Sequence, residues 1–515
     1  MTKNNKIENF SIFRKLQKQC KNWKERSIKN SKKILAQEKR IRDLLKSRLN
    51  WRTKYYAEKA ITNELKQTLK VLEENQERRY EKVTNHSYCL EIILFTIWLR
   101  SSSSISLEGV RRVINVFNKV FDFDFPIPCK NSIRNWEKKH SLHRLDSVKA
   151  KVEGEWTIIV DESIAIGEEK ILLILGVPLS NYKFGDAVNF TDIKVLEVLI
   201  SKSWKSKEIS EVLNGLKSAG YNIKYVVSDG CCTLKSAIKS SELTQVPDCT
   251  HVFGNILKNE FKDLATYQSF DKACNLLHKQ TNIGADAVIA PAKYRSKGKF
   301  LNLYPKANWA KKMLTIMELP LSERAEILTQ SMQNKLAFIT DYKPLIQRLH
   351  LQCEITNKLS KILKNNGLSK QSVYICRTVI AEKYAKKMCL IIAQESAQEQ
   401  IQLSFQLTTD TFWQKIEAYL SQGLELLKKI DLPRIICTSD IIESMFGKYK
   451  ARVKKGNSSI TDDCLNITNF TQNFSRAETK KAMEETKIID ITNWRKKNCK
   501  DSLRAKKQKM FEKVG

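Results

Sequence analysis

The chain has 515 residues, more than one ordinary domain of about 100 to 200, and carries 90 Lys+Arg against 56 Asp+Glu, a formal net charge of +34. A surplus of that size makes a polyanion the natural partner, because neutralised phosphates release counterions. The 13 cysteines are scattered, with Cys231 and Cys232 the only close pair, which excludes a compact disulfide framework and paired zinc-ligand spacing. The longest apolar run, Cys89 to Leu99 with Glu91 inside it, is too short for a membrane span of about 20 residues. A soluble chain in a reducing compartment, cytoplasm or nucleoid (nucleus in a eukaryote), is expected, with no membrane partner.

Residues 1–85 hold no Gly and no Pro, and 24 Lys+Arg against 10 Asp+Glu. Ile34, Ile41, Leu45 and Leu49, and again Ile61, Leu65, Leu69 and Leu72, recur at helical intervals and form one narrow apolar stripe on a charged helix. The stripe asks for a partner: a basic coiled-coil arm that dimerises or lies along DNA, with a partly disordered tail as the alternative.

Residues 86–150 read as a helical, helix-turn-helix-like domain. One helix carries Leu107, Val110, Val113, Ile114 and Phe117 on a single side; after the turn Phe125-Pro126-Ile127-Pro128 a second runs from about Asn131 to His140. With Ile133 and Trp136 inward, Arg134, Lys138 and Lys139 would face a phosphate or base edge, as a recognition helix requires. Any small helical connector with a basic outer face would look similar.

From Glu155 the periodicity shortens. Trp156–Val160, Lys170–Val177 and Thr191–Ile200 predict strands and Trp204–Ala219 a helix; Ile223–Ser228 is a further strand, Cys232–Ser240 a helix and Gln245–His251 a short strand. Strands first, then alternating strand and helix, is the order of an α/β RNase H-like core, a mixed sheet flanked by helices. Residues 261–433 are expected to form an all-helical domain, Gly367-Leu368-Ser369 marking the stop of one helix and the cap of the next. Within it, Lys293, Arg295 and Lys297 near Trp309 mix cations with aromatics as a DNA-gripping loop would; a solvated loop reads the same. The core resumes over 434–475, and 476–515 is a basic tail.

Asp161 closes the strand Trp-Thr-Ile-Ile-Val, and Asp229 follows Ser228 at the end of Ile-Lys-Tyr-Val-Val. A charge at the carboxyl end of a buried strand is costly unless it reaches the surface or holds a cation, and ligands gather at such edges. Each Asp alone is explained equally by a turn or helix cap. Thr438 to Lys450 predicts a helix with Ser439 as N-cap, Ile442, Met445 and Phe446 as its apolar face, and Glu443 one step round from it. Lys448, Lys450, Arg452, Lys454 and Lys455 trail down the same segment like a phosphate-binding strip.

These three segments resemble the catalytic core of DDE transposases, in which the first Asp ends the first strand, the second ends the fourth strand and the Glu lies on a later helix. Asp229 lies 68 residues after Asp161, and Glu443 another 214 on, an interval that a helical insertion such as several cut-and-paste superfamilies carry would fill. Asp248-Cys249-Thr250-His251 is similar to the C/D(2)H signature of those families, and His251 would donate to a carboxylate or scissile phosphate; a His hydrogen-bonded within the sheet edge is the alternative. The resemblance covers residues 150–260 and 435–460 best.

It implies metal-dependent cleavage and strand transfer of transposon ends. Two Mg2+ (or Mn2+) ions would be held by Asp161, shared between them, with Asp229 and Glu443 as flanks; Asp440 is an alternative third ligand, and Glu162 is left out as pointing to the opposite strand face. The partners would be double-stranded DNA, both terminal inverted repeats and target, and further copies of the chain in a homodimer or higher homo-oligomer. An RNase H-like nuclease without strand transfer and an inactive transposase-derived DNA-binding protein are the alternatives.

Overall fold

The computed structural model describes residues 3–73, 80–150, 152–163, 166–182, 185–281, 283–292, 303–385, 411–453, 459–472, 474–500, 507–508 and 510–512. The chain divides into two compact units, Met1–Tyr80 and Glu81–Gly515. The first contains one 71-residue helix, α1 (Lys3–Glu73), whose expected stripe residues Ile34, Ile41, Leu45, Leu49, Ile61 and Leu65 are all exposed.

The second unit opens with α2 (Leu90–Ser102), α3 (Leu107–Phe121) and α4 (Lys130–Ala150). The Cys89–Leu99 run is the buried face of α2: Leu90, Ile93 and Ile97 pack with Val110, Ile114, Ile133 and Trp136. Among the described residues no helix is long and apolar enough to cross a membrane.

A mixed five-stranded sheet follows, built from β1 (Glu155–Glu162), β2 (Lys170–Pro178), β3 (Lys194–Ser201), β4 (Asn222–Ser228) and β5 (Gln245–Pro247) in the order β3-β2-β1-β4-β5. β1 runs antiparallel to β2 and parallel to β4; β2 and β3 are antiparallel, β4 and β5 parallel. Helices cover both faces, so β1 and β2 are near-continuous hydrophobic runs. Alternation sends Trp156, Ile158 and Val160 to one face, against Leu213 and Leu216 of α5 (Ser206–Ser218) and Leu234 and Ile238 of α6 (Cys232–Ser240). Ile159 points to the other face, with Tyr225 and Val227, against Phe253 and Leu257 of α7 (Cys249–Phe261). Gln245–His251 is not a single strand: β5 stops at Pro247, and Asp248 caps α7 by accepting a hydrogen bond from the His251 backbone N–H at 2.9 Å.

Beyond α7 the strands among the described residues are two of two residues each, and the other regular elements are helical. In order come α8 (Ala265–Thr281), α9 (Leu303–Met317), α10 (Leu321–Ile327), α11 (Gln330–Leu336), α12 (Lys343–Asn366), β6 (Leu368–Ser369), α13 (Lys370–Val379) and α14 (Thr411–Ile430). Gly367 ends α12 at φ +66°, and Ser369 caps α13 by accepting from Ser372, as the sequence predicts. β7 (Arg434–Ile435) pairs with β6 and returns the chain to the sheet, leading into α15 (Asp440–Arg452). A 3-10 helix (Asp462–Thr471), α16 (Arg476–Glu485) and α17 (Ile488–Asn498) follow, so the segment expected as a basic tail is helical through Asn498.

Candidate functional site

Register places the first two acids. In the parallel β1–β4 pair Ile159 lies opposite Val227, so Asp161 and Asp229, each two residues further on, reach the same carboxyl edge on neighbouring strands about 4.8 Å apart. Asp161 Oδ1 accepts the Glu162 N–H at 2.7 Å, and Asp229 Oδ1 accepts the Cys231 N–H at 2.9 Å, so each carboxylate is tied to a backbone amide just after it. Glu162 instead pairs with Lys170 at 2.7 Å.

The third acid arrives by way of α15. Three contacts lock the segment before it to the sheet: Tyr225 Oη accepts the Ile436 N–H at 2.8 Å, the Cys437 carbonyl accepts the Cys249 N–H at 2.8 Å, and Asp248 Oδ2 accepts both the N–H and the hydroxyl of Ser439 at 2.5 Å. Ser439 stands at the N-cap position, but its side chain is committed to Asp248 and makes no cap bond. Ile441, Ile442, Met445 and Phe446 are buried against the sheet, which leaves Glu443 exposed at the rim, where Oε1 lies 3.1 Å from His251 Nε2.

Electrostatics tie the four groups together. Burial and the adjacent Asp229 charge push the Asp161 carboxyl up to about 7; the Glu162 amide and His251 oppose the shift, and Glu443 adds to it. His251 is pushed up to about 9, chiefly by its bond to Glu443, with Asp248 and Asp229 also favouring its charged form against burial. Asp248 is 1% exposed and raised by burial, its hydrogen bonds from Ser439 and His251 opposing the rise.

Asp440, the alternative third acid, is engaged elsewhere: Lys364 of α12 pairs with Oδ2 at 2.9 Å and Thr250 donates to Oδ1 at 3.4 Å. Lys364 and Asp440 line a cleft of about 250 Å³ with Thr250, Tyr304, Asn357 and Lys361. Among the described residues no three His, Cys, Asp or Glu side chains are gathered as a ready-made metal cage.

The residues expected to grip DNA fare differently. Arg134 is exposed on α4. Lys138 is not: it is 7% exposed and paired with Asp462 at 2.8 Å and Asp463 at 3.0 Å, because the C-terminal segment covers the face expected to be free. Lys139 donates to the Met483 carbonyl at 3.0 Å and lies 3.3 Å from His86. The strip on α15 is largely inward as well. Lys448 lies 3.9 Å over the Phe190 ring, Lys450 is half-buried at 5.7 Å from the Phe446 ring, and Arg452 stacks 4.4 Å over Phe470 while donating to the carbonyls of Arg100 and Ser103. Trp309 donates to the Ile289 carbonyl at 3.2 Å and is part of the helical core. Lys293, Arg295, Lys297, Lys454 and Lys455 lie outside the described residues.

No family model and no curated protein matches this chain. Among solved structures, the Drosophila P element transposase strand transfer complex aligns over 83% of this chain and 99% of that one, at 12% identity and a TM-score of 0.34.

The sequence did not reveal Ser439 as the partner of Asp248, or Lys364 as the partner of Asp440. The only signal for the first was the D-C-T-H segment itself, whose Asp suits a helix N-cap.

Proposed function

We propose that this chain is a DDE-type DNA transposase, in which an RNase H-like core uses Asp161, Asp229 and Glu443 to cleave phosphodiester bonds at transposon ends and transfer the strands to target DNA. The observation that carries the reading is the pair Asp161 and Asp229, set side by side by the β1–β4 register with Asp161 held near neutrality. Two carboxylates driven together at the edge of a buried sheet are unfavourable for the fold and suit a cation site. The strand order, the mixed directions and the helices on both faces support the RNase H-like assignment. The helical stretch between the second Asp and the Glu supports an insertion domain over 261–433.

The donor set suits hard cations, since all three side chains offer carboxylate oxygens and none offers sulfur. Asp161, Asp229 and Glu443 would hold two Mg2+ or Mn2+ ions, which when bound would supply activation of an attacking water or 3′-hydroxyl and charge stabilisation for the departing oxygen. The protein's own groups set the stage. His251, charged at neutral pH, donates to Glu443 and orients that carboxylate at the rim. Asp248 holds the first turns of α7 and α15 together, and so fixes His251 against Glu443. Double-stranded DNA, both transposon ends and target, would be the substrate, and a dimer or larger homo-oligomer the working form.

A strand-transfer assay with 3′-hydroxyl donor ends tests the reading. Joined products that require a divalent cation and vanish in Asp161→Ala support it; cleavage without joining turns it to a nuclease, and joining unchanged in Asp161→Ala overturns it.

A further inference from the structure

In α1, Ile41, Arg48, Tyr55 and Thr62 recur every seven residues, as do Leu44, Trp51, Glu58 and Leu65; together they fill the a and d positions of a two-stranded coil. All eight are exposed, Trp51 by 70% and Ile41 by 55%, so within the unit Met1–Tyr80 no described residue covers the seam. Two of the eight are charged. Arg48 and Glu58 stand ten residues apart, which at 1.5 Å per residue is about 15 Å along the helix and too far to pair within one chain.

A second copy decides where those charges go. Laid parallel and in register, it would set Arg48 against Arg48 and Glu58 against Glu58, two like-charge layers in the seam. Laid antiparallel about Thr53, it sets Arg48 against Glu58 twice, Ile41 against Leu65, Leu44 against Thr62 and Trp51 against Tyr55, always an a position against a d position. One two-fold operation therefore satisfies every layer between residues 41 and 65, and the interface is self-complementary as a symmetric dimer requires. We propose that α1 is a self-association helix whose partner is an antiparallel second copy of this chain, registered by reciprocal Arg48–Glu58 pairs. The lysines and arginines on its other faces stay in solvent.

The proposal is independent of the reaction assigned above and is tested by mass. The full chain is examined by sedimentation equilibrium as wild type, R48E, E58R and the double R48E/E58R variant, with far-UV circular dichroism to check helix content. We expect a dimer whose dissociation constant rises at least about tenfold in either single variant and returns to within about threefold of wild type in the double. A wild-type chain that stays monomeric at about 50 µM overturns the proposal. So do single variants indistinguishable from wild type, which is the parallel outcome, and a double variant no tighter than the singles. A dimer that survives Ile41→Asp with Leu44→Asp lies on another surface and also overturns it.

Discussion

Nε2 of His251 lies 3.1 Å from Oε1 of Glu443 across a chain separation of 192 residues. The contact joins the first turns of α7 and α15 at the sheet edge that carries Asp161 and Asp229, and it sets the charge state of the rim. Glu443→Gln removes the charged acceptor that holds His251 near 9, so the imidazole should fall back toward 6.5, read from its C–H proton shifts. A raised histidine contributes stability that is full below its unfolded value and is lost as pH rises through about 9. Wild type should therefore lose about 1 kcal/mol between those limits that Glu443→Gln does not, a small figure because Glu443 is half exposed and solvent screens the pair.

Asp161 follows the same pH trend from a different cause, since burial and Asp229 disfavour its charged form. Its folded-state value near 7 exceeds its ordinary 3.8, so the folded chain retains a proton that the unfolded chain has released, and stability falls as pH rises across that window. Without divalent cations, Asp161→Asn should be more stable than wild type above pH 7 by on the order of 2 kcal/mol, the gap closing below the ordinary Asp value. Mg2+ should raise the melting temperature of wild type and not of the variant. Urea and thermal melts across pH check both points.

Asp248 touches no substrate in this account, yet its loss should be severe. Asp248→Ala leaves the Ser439 and His251 donors without their acceptor and frees the start of α15. A stability loss of about 2–4 kcal/mol is expected, as a lower urea midpoint at unchanged slope. DNA cleavage should fall even where the variant is still folded.

Lys138 and Arg134 separate fold from DNA contact. Lys138→Ala should destabilise by about 1–3 kcal/mol, because Asp462 and Asp463 lose a buried partner, and should leave the salt dependence of DNA binding unchanged. Arg134→Ala should do the reverse, reducing that salt slope by about one unit with little change in stability.

The two aspartates and their strands are legible in the sequence because β1 and β4 are short apolar runs that end in a charge, a pattern carried by neighbouring residues. The apolar face of α15 is legible for the same reason. Burial of Lys138 is not, because its partners Asp462 and Asp463 lie over 300 residues away and a buried lysine has the same local surroundings as a solvated one. The sequence likewise reads Lys448 and Arg452 as part of a phosphate-binding strip, whereas the rings of Phe190 and Phe470 cover them. Gln245–His251 reads as a strand in the sequence, with Pro247 its only breaker, whereas Asp248 caps a helix that starts at Cys249 and takes in His251. The resemblance already favours Glu443 over Asp440 as the third ligand; what the sequence does not reveal is that Lys364, 76 residues earlier, pairs with Asp440.

The most direct test of the central claim is cleavage of DNA carrying the sequences that flank this reading frame, followed in Mg2+ or Mn2+ for wild type and Asp161→Asn. Wild type should nick the element's ends with either cation and not with chelator, and the variant should lose at least about 10³-fold in rate. Equal cleavage by wild type and Asp161→Asn would contradict that claim.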